Sequence, residues 1–307
     1  GADNVTVDGR VNATGSSTDL TIINSMVSGT SNTSTFRFIS SAANNTIQYC
    51  TVKGGATGPY TAIFLFAGSW SGSGNSNNQI ENCNLTGLSA SARPYAVVYS
   101  YGTAGRENSS NSISNNNIYD FFEANATSYG IYIYQNSADW TISGNSFFET
   151  SDFEPTASIS HYAVRVYNST GNNFSITDNF FGGRAAFCGG SAWSMNTLMS
   201  SRFYAIHLDV GTETPSSVQG NTISNFDITN SNSICWMGID ANSGSVNIGT
   251  TTGNIIGSAT GNGSVSLTNS NPGRAATSYG IYVNSSDTVV ISNNTIGSVT
   301  TESSSLQ

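Results

Sequence analysis

A short pattern of apolar and polar positions returns along the whole chain. It has the form Ile-x-x-Asn-x-apolar, with cysteine in place of asparagine in the first two copies. The first apolar position is held by Ile47, Ile80, Ile113, Ile142, Ile176, Val218 and Ile291, and by Ile248 in a stretched copy. The first five of these positions are 33, 33, 29 and 34 residues apart. So regular a period indicates one structural unit that is repeated along an axis.

A second apolar segment precedes the motif in successive units. Examples are YGIYIY from Tyr129 and YAVRVY from Tyr162, in which β-branched and aromatic residues alternate with others. Alternation with a period of two predicts strands, and the Asn, Ser and Gly clusters that follow predict turns. Two short strands per unit, without any helical period, predict an all-β solenoid. We therefore expect a parallel β-helix of about eight coils, with long loops on one side.

The asparagine of the motif has a physical explanation in such a solenoid. Coils stack at about 4.8 Å, so equivalent positions lie directly above one another. An inward asparagine at a bend tolerates left-handed backbone and can bond its amide to the asparagines above and below it. The predicted ladder contains Asn116, Asn145, Asn179, Asn221 and Asn294.

The four cysteines leave their pairing open. Cys50 and Cys83 occupy the asparagine column one coil apart, a spacing that suits either a disulfide or two buried thiols. Cys188 and Cys235 are expected in the long loops of successive coils, where one crosslink could join them. The sequence contains no C-x-x-C motif and no Cys/His cluster, so we predict neither a metal site nor a cofactor.

Composition narrows the classes of partner. The chain has 9 basic and 18 acidic residues, a formal net charge of −9, and only 9% charged residues. Nucleic-acid binding needs a concentrated basic surface, which this chain lacks. No segment approaches the roughly 20 apolar residues of a membrane span, so membrane insertion is not expected. The remaining surface is neutral and rich in hydrogen-bonding groups.

At this point the chain resembles the right-handed parallel β-helix proteins, a superfamily that includes pectate lyases, polygalacturonases, phage tailspikes and many bacterial surface proteins. Three segments are similar to very long, repetitive exported proteins of Bacteroidota-type bacteria: DNVTVDGRVN, GGRAAFCGGSAW and YGIYVNSSDTVVISNNTIG. The resemblance implies a right-handed helix, export and an extracellular or cell-surface location. We expect residues 1–307 to form a single β-helix domain of a longer chain, with ends that could associate end to end.

The outer face of the longer strands carries the candidate functional residues. In YAVRVY the alternation turns Val164 and Val166 inward and Arg165 and Tyr167 outward. Applied coil by coil, the same alternation places four ionisable residues on adjacent coils: Arg165, His207, Asp209 and Asp240. Six aromatic residues are predicted to flank them: Tyr132, Tyr134, Tyr167, Tyr282, Phe64 and Phe66.

Two functions fit this face. In the first, a non-catalytic adhesive or structural segment contacts a polysaccharide or cell-surface glycan, and the aromatic rings stack on sugars. In the second, the face cleaves a polysaccharide: His207 acts as general acid or base, Asp209 and Asp240 form a carboxylate pair, and Arg165 neutralises negative charge. The chain lacks the ordered Asn-Thr-Asp, Asp-Asp, Gly-His-Gly and Arg-Ile-Lys signatures of polygalacturonases and the calcium-binding acids of pectate lyases. We therefore favour the first function.

A third interpretation makes the aromatic residues structural. Long insertions contain further large apolar residues that could cover the outer aromatic stripe. These residues are Phe121, Phe122, Phe148, Phe153, Phe187, Trp193 and Met195.

Overall fold

A computed structural model describes residues 1–232, 234–271 and 276–303. Within these ranges the regular structure is β-strand, apart from one 3-10 turn at Val11–Ala13. The chain runs repeatedly from a first sheet to a second and then to a third, and each strand pairs in parallel with the equivalent strand of the next coil. The predicted parallel β-helix is confirmed. No helix in these ranges is long and apolar enough to cross a membrane.

Sheets 1 and 2 each contain nine strands within the described ranges. The strands of sheet 1 are Thr6–Asp8, Thr46–Gln48, Gln79–Glu81, Ser112–Ser114, Thr141–Ser143, Ser175–Thr177, Ser216–Gln219, Val246–Ile248 and Val289–Ile291. Those of sheet 2 are Leu20–Asn24, Cys50–Gly54, Asn84–Gly87, Asn117–Tyr119, Ser146–Phe148, Phe180–Phe181, Thr222–Ile223, Ile255–Gly257 and Thr295–Gly297.

Sheet 3 contains the longer strands, and two smaller sheets complete the coils. The strands of sheet 3 are Ser34–Phe38, Ala62–Phe66, Ala96–Ser100, Ser128–Ile133, Ser160–Tyr167, Arg202–Asp209, Ile234–Ser243 and Thr277–Val283. Sheet 4 contains Trp193–Asn196, Phe226–Asn230, Val265–Asn269 and Val299–Ser303. A two-stranded sheet pairs Asn108–Ser109 with Ser137–Ala138.

The core consists of apolar columns that follow the helix axis. The motif residues of sheet 1 stand in register from Ile47 to Ile248, and their side chains are at most 3% exposed. In sheet 2 the rings of Phe147 and Phe181 stack at 4.8 Å. Because each such side chain contributes about 1.5–3 kcal/mol on burial, the repeated motif accounts for the cohesion of the coils.

The asparagine ladder is confirmed. The Nδ2 of Asn116 donates to the Oδ1 of Asn145 at 3.0 Å, and the same bond joins Asn145 to Asn179 at 2.9 Å. The column continues through Asn221, Asn254 and Asn294 with the same bonding. Each asparagine from Asn116 to Asn254 therefore links its own coil to both neighbours.

Cysteines end the ladder on the N-terminal side. The Oδ1 of Asn116 accepts a hydrogen bond from the backbone N–H of Cys83 at 2.9 Å, and the Sγ of Cys83 lies 3.4 Å from the backbone nitrogen of Cys50. All four cysteines are free thiols. Cys235 lies buried in a strand of sheet 3, so its expected place in a loop is wrong.

Two shorter asparagine columns accompany the main one, and the repeat pattern did not predict them. One joins Asn45, Asn78 and Asn111, with Nδ2–Oδ1 distances of 2.8 and 3.0 Å. The other joins Asn75 to Asn108 at 3.0 Å. All five side chains are at least 96% buried, so these columns also connect the coils from within.

The strands of sheet 3 contain a stacked irregularity that widens their outer face. The central strands turn two consecutive residues inward, and the first of these is glycine or alanine in the strands from Ser128–Ile133 to Thr277–Val283. Ala163 and Val164 lie in the interior core, for example, whereas Tyr162 and Arg165 lie on the outside. At Gly130 an added Cβ would lie 2.5 Å from the carbonyl oxygen of Ala163, so this position requires glycine. The two outward positions of each such strand are consequently three residues apart along the chain, instead of two.

This irregularity overturns part of the outward assignment. Phe64 and Phe66 are fully buried inside the helix, where their rings stack on Phe36 at 5.0 Å and on Phe38 at 4.3 Å. Leu65 occupies the outward position that was expected for Phe64, because it pairs in register with the outward Tyr99. Every residue of AIFLF is buried, so alternation alone did not set the phase of this strand.

The long insertions extend the interior core and leave the outer face of sheet 3 free of them. Five of the seven insertion residues join the interior cluster. They are Phe121, Phe122, Phe153, Trp193 and Met195. Phe148 packs on Tyr119 outside sheet 2, at a ring distance of 5.1 Å, and Phe187 is 69% exposed. These seven side chains therefore do not cover the outer tyrosines. A structural role for the aromatic residues still holds for Tyr132, which is buried among other tyrosines, and for Phe64 and Phe66 in the core.

Candidate functional site

The outer face of sheet 3 displays three parallel columns of polar and aromatic residues. The first contains Tyr129, Tyr162, Tyr204, Met237 and Tyr279. The second contains Tyr99, Tyr132, Arg165, His207, Asp240 and Tyr282. The third contains Tyr134, Tyr167 and Asp209. The four ionisable residues predicted from sequence thus lie together on adjacent strands.

His207 is the centre of this group, because each ring nitrogen contacts a carboxylate. Its Nδ1 lies 2.7 Å from the Oδ2 of Asp240, and its Nε2 lies 2.9 Å from the Oδ2 of Asp209. Burial by itself lowers the pKa of this imidazole, but the hydrogen bonds to both carboxylates outweigh burial, and the net effect raises the pKa. The imidazolium form, in which both nitrogens donate, fits this geometry.

The two carboxylates differ in their other partners. The Oδ1 of Asp209 accepts hydrogen bonds from the Nδ2 of Asn242 at 2.6 Å and from the hydroxyl of Ser243 at 3.3 Å. Although burial opposes it, hydrogen bonding by His207 and Asn242 lowers the pKa of Asp209. The Oδ1 of Asp240 is buried and has no partner among the described residues. Asp209 is thus fully engaged, whereas Asp240 retains one free acceptor.

His161, the second histidine, is a useful contrast within the same sheet. It points into the core, where its ring lies 4.7 Å from that of Phe122, and its Nδ1 lies 3.2 Å from the hydroxyl of Ser128. Complete burial lowers its pKa to about 3. The pKa of one histidine is therefore raised on the outer face, and the pKa of the other is lowered inside.

We expect these two imidazoles to titrate on opposite sides of 6.5, the ordinary histidine pKa. His207 should stay protonated above that pH, so its stabilising contribution is complete below 6.5 and is lost as pH rises through its folded pKa. His161 should stay neutral to about pH 3, so it destabilises the fold as pH falls below 6.5. Nitrogen-15 titration of the ring resonances, assigned with His207→Gln and His161→Gln, measures both. A His207 that deprotonates at or below pH 6.5 would contradict the assignment.

Arg165 is surrounded by tyrosine rings. Its guanidinium carbon lies 4.6 Å from the ring centroid of Tyr162 and 4.9 Å from that of Tyr167, with Tyr132 and Tyr129 slightly farther away. Its Nη1 donates to the hydroxyl of Tyr129 at 3.3 Å. Burial disfavours the charge, but the tyrosines outweigh it and raise the pKa of Arg165. The arginine is consequently a structural part of the aromatic surface.

The tyrosines of this face differ sharply in exposure. Tyr132 is only 7% exposed, because it stacks on Tyr129 at 4.3 Å and contacts Tyr99 and Tyr134. Tyr167, in contrast, is 42% exposed, and its ring lies parallel to that of Tyr134 at 5.9 Å. Among the described tyrosines beside Arg165 and Asp209, those of the third column therefore offer the more accessible aromatic platform.

Tyr282 lies at the end of the second column. It is half-buried and contacts Tyr279 at a ring distance of 4.9 Å. It pairs in register with Asp240 but makes no ring contact with Tyr132, Tyr134 or Tyr167 among the described residues.

A polar cavity of about 260 Å³ adjoins the accessible tyrosine. It is lined by Gln135, Tyr167, Asn168, Ser169, Asp209 and Ser243. An aromatic wall beside amide, hydroxyl and carboxylate groups suits a molecule with one apolar face and many hydroxyls. The cavity is smaller than the roughly 300–1,000 Å³ of typical small-molecule pockets, so it fits a single ring.

Sequence reasoning missed the first tyrosine column and this cavity. The signal for the column was present, because a tyrosine opens the strand segments at Tyr129, Tyr162, Tyr204 and Tyr279. The cavity had no signal, since Gln135, Asn168 and Ser169 lie in turns that no repeat position marks. Within the described ranges, no cluster of three or more His, Cys, Asp or Glu side chains is arranged to hold a metal ion.

Comparison with known proteins identifies the scaffold. Neither the curated proteins nor the solved structures gave a significant match to this chain. A family model described as "Right handed beta helix region" matches residues 9–194, which is more than half of the chain. This match agrees with the stacked parallel sheets and the buried asparagine ladder, and it assigns the predicted right hand to the coil. The chain belongs to the right-handed β-helix family.

Proposed function

We propose that this chain is an exported, cell-surface β-helix segment that contacts a polysaccharide without cleaving it. The observation that carries the proposal is the accessible pair Tyr134 and Tyr167 beside the polar cavity. Aromatic rings contact the apolar faces of sugars, and the neighbouring amides and hydroxyls supply hydrogen bonds to sugar hydroxyls. The sparsely charged, hydrogen-bonding surface of the chain supports the same role.

The arrangement of His207 favours contact over catalysis. A general acid or base needs an accessible ring nitrogen that can exchange a proton with substrate. Both ring nitrogens of His207 are instead occupied by carboxylates, and the side chain is 10% exposed. The His207 cluster therefore serves to hold Asp209 in place at the wall of the cavity.

A screen against neutral and acidic polysaccharides tests the proposal. We expect binding without release of reducing or unsaturated ends, and we expect Tyr167→Ala to weaken that binding about tenfold, since one stacking contact contributes on the order of 1 kcal/mol. Tyr119→Ala is a matched control, because Tyr119 also stacks on a neighbouring coil, at 5.1 Å, but outside sheet 2. Equal loss in both variants, or no binding to any polymer, would refute the proposal.

The second candidate function is polysaccharide cleavage from the same face. It is favoured by the convergence of two carboxylates on His207 and by the free Oδ1 of Asp240. Release of products by the wild-type chain, abolished in a folded His207→Gln or Asp240→Asn variant, would establish this function in place of the first.

A further inference from the structure

A second cavity lies nearer the N-terminus at the same edge of sheet 3. Its volume is about 280 Å³, and its lining includes Asn32, Arg37, Trp70, Tyr101, Thr103 and Arg106. Tyr101 directly follows the strand Ala96–Ser100, one coil before Tyr134, and its backbone nitrogen continues the parallel hydrogen bonding of that strand. The cavity therefore belongs to the third column, but it is separate from the one beside Tyr167.

Two arginines in this cavity have no acidic partner among the described residues. Arg10, Arg93 and Arg184 each pair with a carboxylate, whereas Arg37 and Arg106 form no ion pair and no side-chain hydrogen bond with any described residue. Glu107 follows Arg106 in sequence, but its carboxylate accepts a hydrogen bond from the backbone N–H of Gly105. Two arginines without an ion-pair partner among the described residues thus line one small cavity in a chain with a net charge of −9.

An unusually exposed indole forms another wall of the cavity. Trp70 is 94% exposed, the highest value among the exposed large apolar side chains of the described residues. An indole held in this way offers a flat apolar surface on which a sugar ring can stack. Its position beside two arginines combines a flat apolar surface with concentrated positive charge.

Polar groups that can bond to a ligand complete the cavity. The hydroxyl of Tyr101 donates to the Oδ1 of Asn32, which fixes the side-chain amide with its Nδ2 free to donate. The hydroxyl of Thr103 has no side-chain hydrogen bond to a described residue. Guanidinium forks match the oxygen geometry of carboxylate and related anions, and the additional donors suit hydroxyl oxygens.

We propose that this cavity binds an anionic sugar residue of an acidic polysaccharide. Arg37 and Arg106 hold the acidic group, Trp70 stacks on the apolar face of the sugar ring, and Asn32 donates to a ring substituent. The inference goes beyond the proposed function, because it concerns a different cavity and rests on unpaired charge. It stands whether or not the Tyr134–Tyr167 platform binds a ligand.

Binding measurements with three polymers test this assignment. Polygalacturonate, its fully methyl-esterified form and dextran sulfate are titrated into the folded chain by calorimetry. We expect binding of polygalacturonate, loss of that binding on esterification, and a decrease in affinity as salt is raised, because ions screen exposed charges. The net charge of −9 repels polyanions as a whole, so any such binding reports a local site. Binding of dextran sulfate alone would identify sulfate as the source of the anionic group.

Single variants locate the site. Arg37→Gln and Arg106→Gln should each weaken anion binding at least tenfold, and Trp70→Ala should weaken it to a similar degree. Arg202→Gln is the control with the same change in net charge, since Arg202 lies on sheet 3 outside the cavity lining. Tyr167→Ala should leave the affinity for a short oligogalacturonate unchanged. Equal binding of the esterified polymer, equal loss in Arg202→Gln, or no binding of either polyanion would overturn the proposal.

Discussion

Replacing Asn116 by alanine is expected to lower the free energy of unfolding by about 3 kcal/mol or more, whereas the same change at its neighbour Asn117 should cost less than about 1 kcal/mol. The side chain of Asn116 is 1% exposed. It donates to the carbonyl of Ile80 at 2.9 Å and accepts from the backbone N–H of Cys83 at 2.9 Å. Both backbone groups would remain buried without these partners.

Asn117 is a closely matched control. It is the next residue in the chain, lies on the outer side of sheet 2, is half-buried, and makes one side-chain hydrogen bond, to Asn84 at 2.9 Å. Urea unfolding of both variants measures the difference. Similar midpoints for the two variants would show that the inner ladder does not stabilise the coils.

Replacing Arg93 by leucine is expected to destabilise the protein by about 3–5 kcal/mol at pH 8, because the change leaves a buried carboxylate without its cation. Glu149 is fully buried and pairs with the guanidinium of Arg93. Its Oε1 also accepts from the backbone N–H groups of Phe121 and Phe122, at 3.0 and 3.1 Å. This ion pair therefore anchors the start of an insertion whose two phenylalanines belong to the interior core.

The loss of stability in Arg93→Leu should depend on pH. Burial, only partly offset by Arg93, raises the pKa of Glu149 to about 7 from 4.5, so the folded state binds the extra proton and its stability falls as pH rises between these values. Without Arg93 that pKa rises further, and the variant should recover part of its melting temperature at pH 5.

Two further variants separate the buried charge from the arginine itself. In the Arg93→Leu background, Glu149→Gln should remove this dependence on pH. Arg184→Leu is the surface control, since its partner Asp152 is 74% exposed, and it should cost less than about 1 kcal/mol. A pH-independent loss in Arg93→Leu would contradict the role of Glu149.

The sequence was sufficient to predict the coil and its main ladder, because both arise from local rules that repeat. Ile113 and Asn116 occupy fixed positions in a motif, and stacking at one spacing converts each position into a column. The second ladder was equally accessible: Asn78 and Asn111 each stand two residues before a motif isoleucine. It was overlooked because asparagine is common in the turns of this chain.

The outward-facing residues of sheet 3 were predicted correctly only in strands where a polar residue marks the outer side. Arg165 and His207 interrupt apolar strands and so reveal which side faces outward. Phe64 gives no such information, because its strand is apolar at every position, and the paired inward residues of sheet 3 shift the alternation. Cavities such as the one at Trp70 depend on turns from several coils, whose meeting no local pattern describes.

The ladder also determines where this protein can change in length. Successive ladder residues are separated by as few as 29 residues, between Asn116 and Asn145, and by as many as 42, between Asn179 and Asn221. The bond from backbone nitrogen to Oδ1 is 3.0 Å in both cases. Extra residues therefore lie between the ladder asparagines and leave the bonds that join them unaltered. The chain is built to accept inserted segments, and its loops can diversify or be grafted while the axis keeps its register.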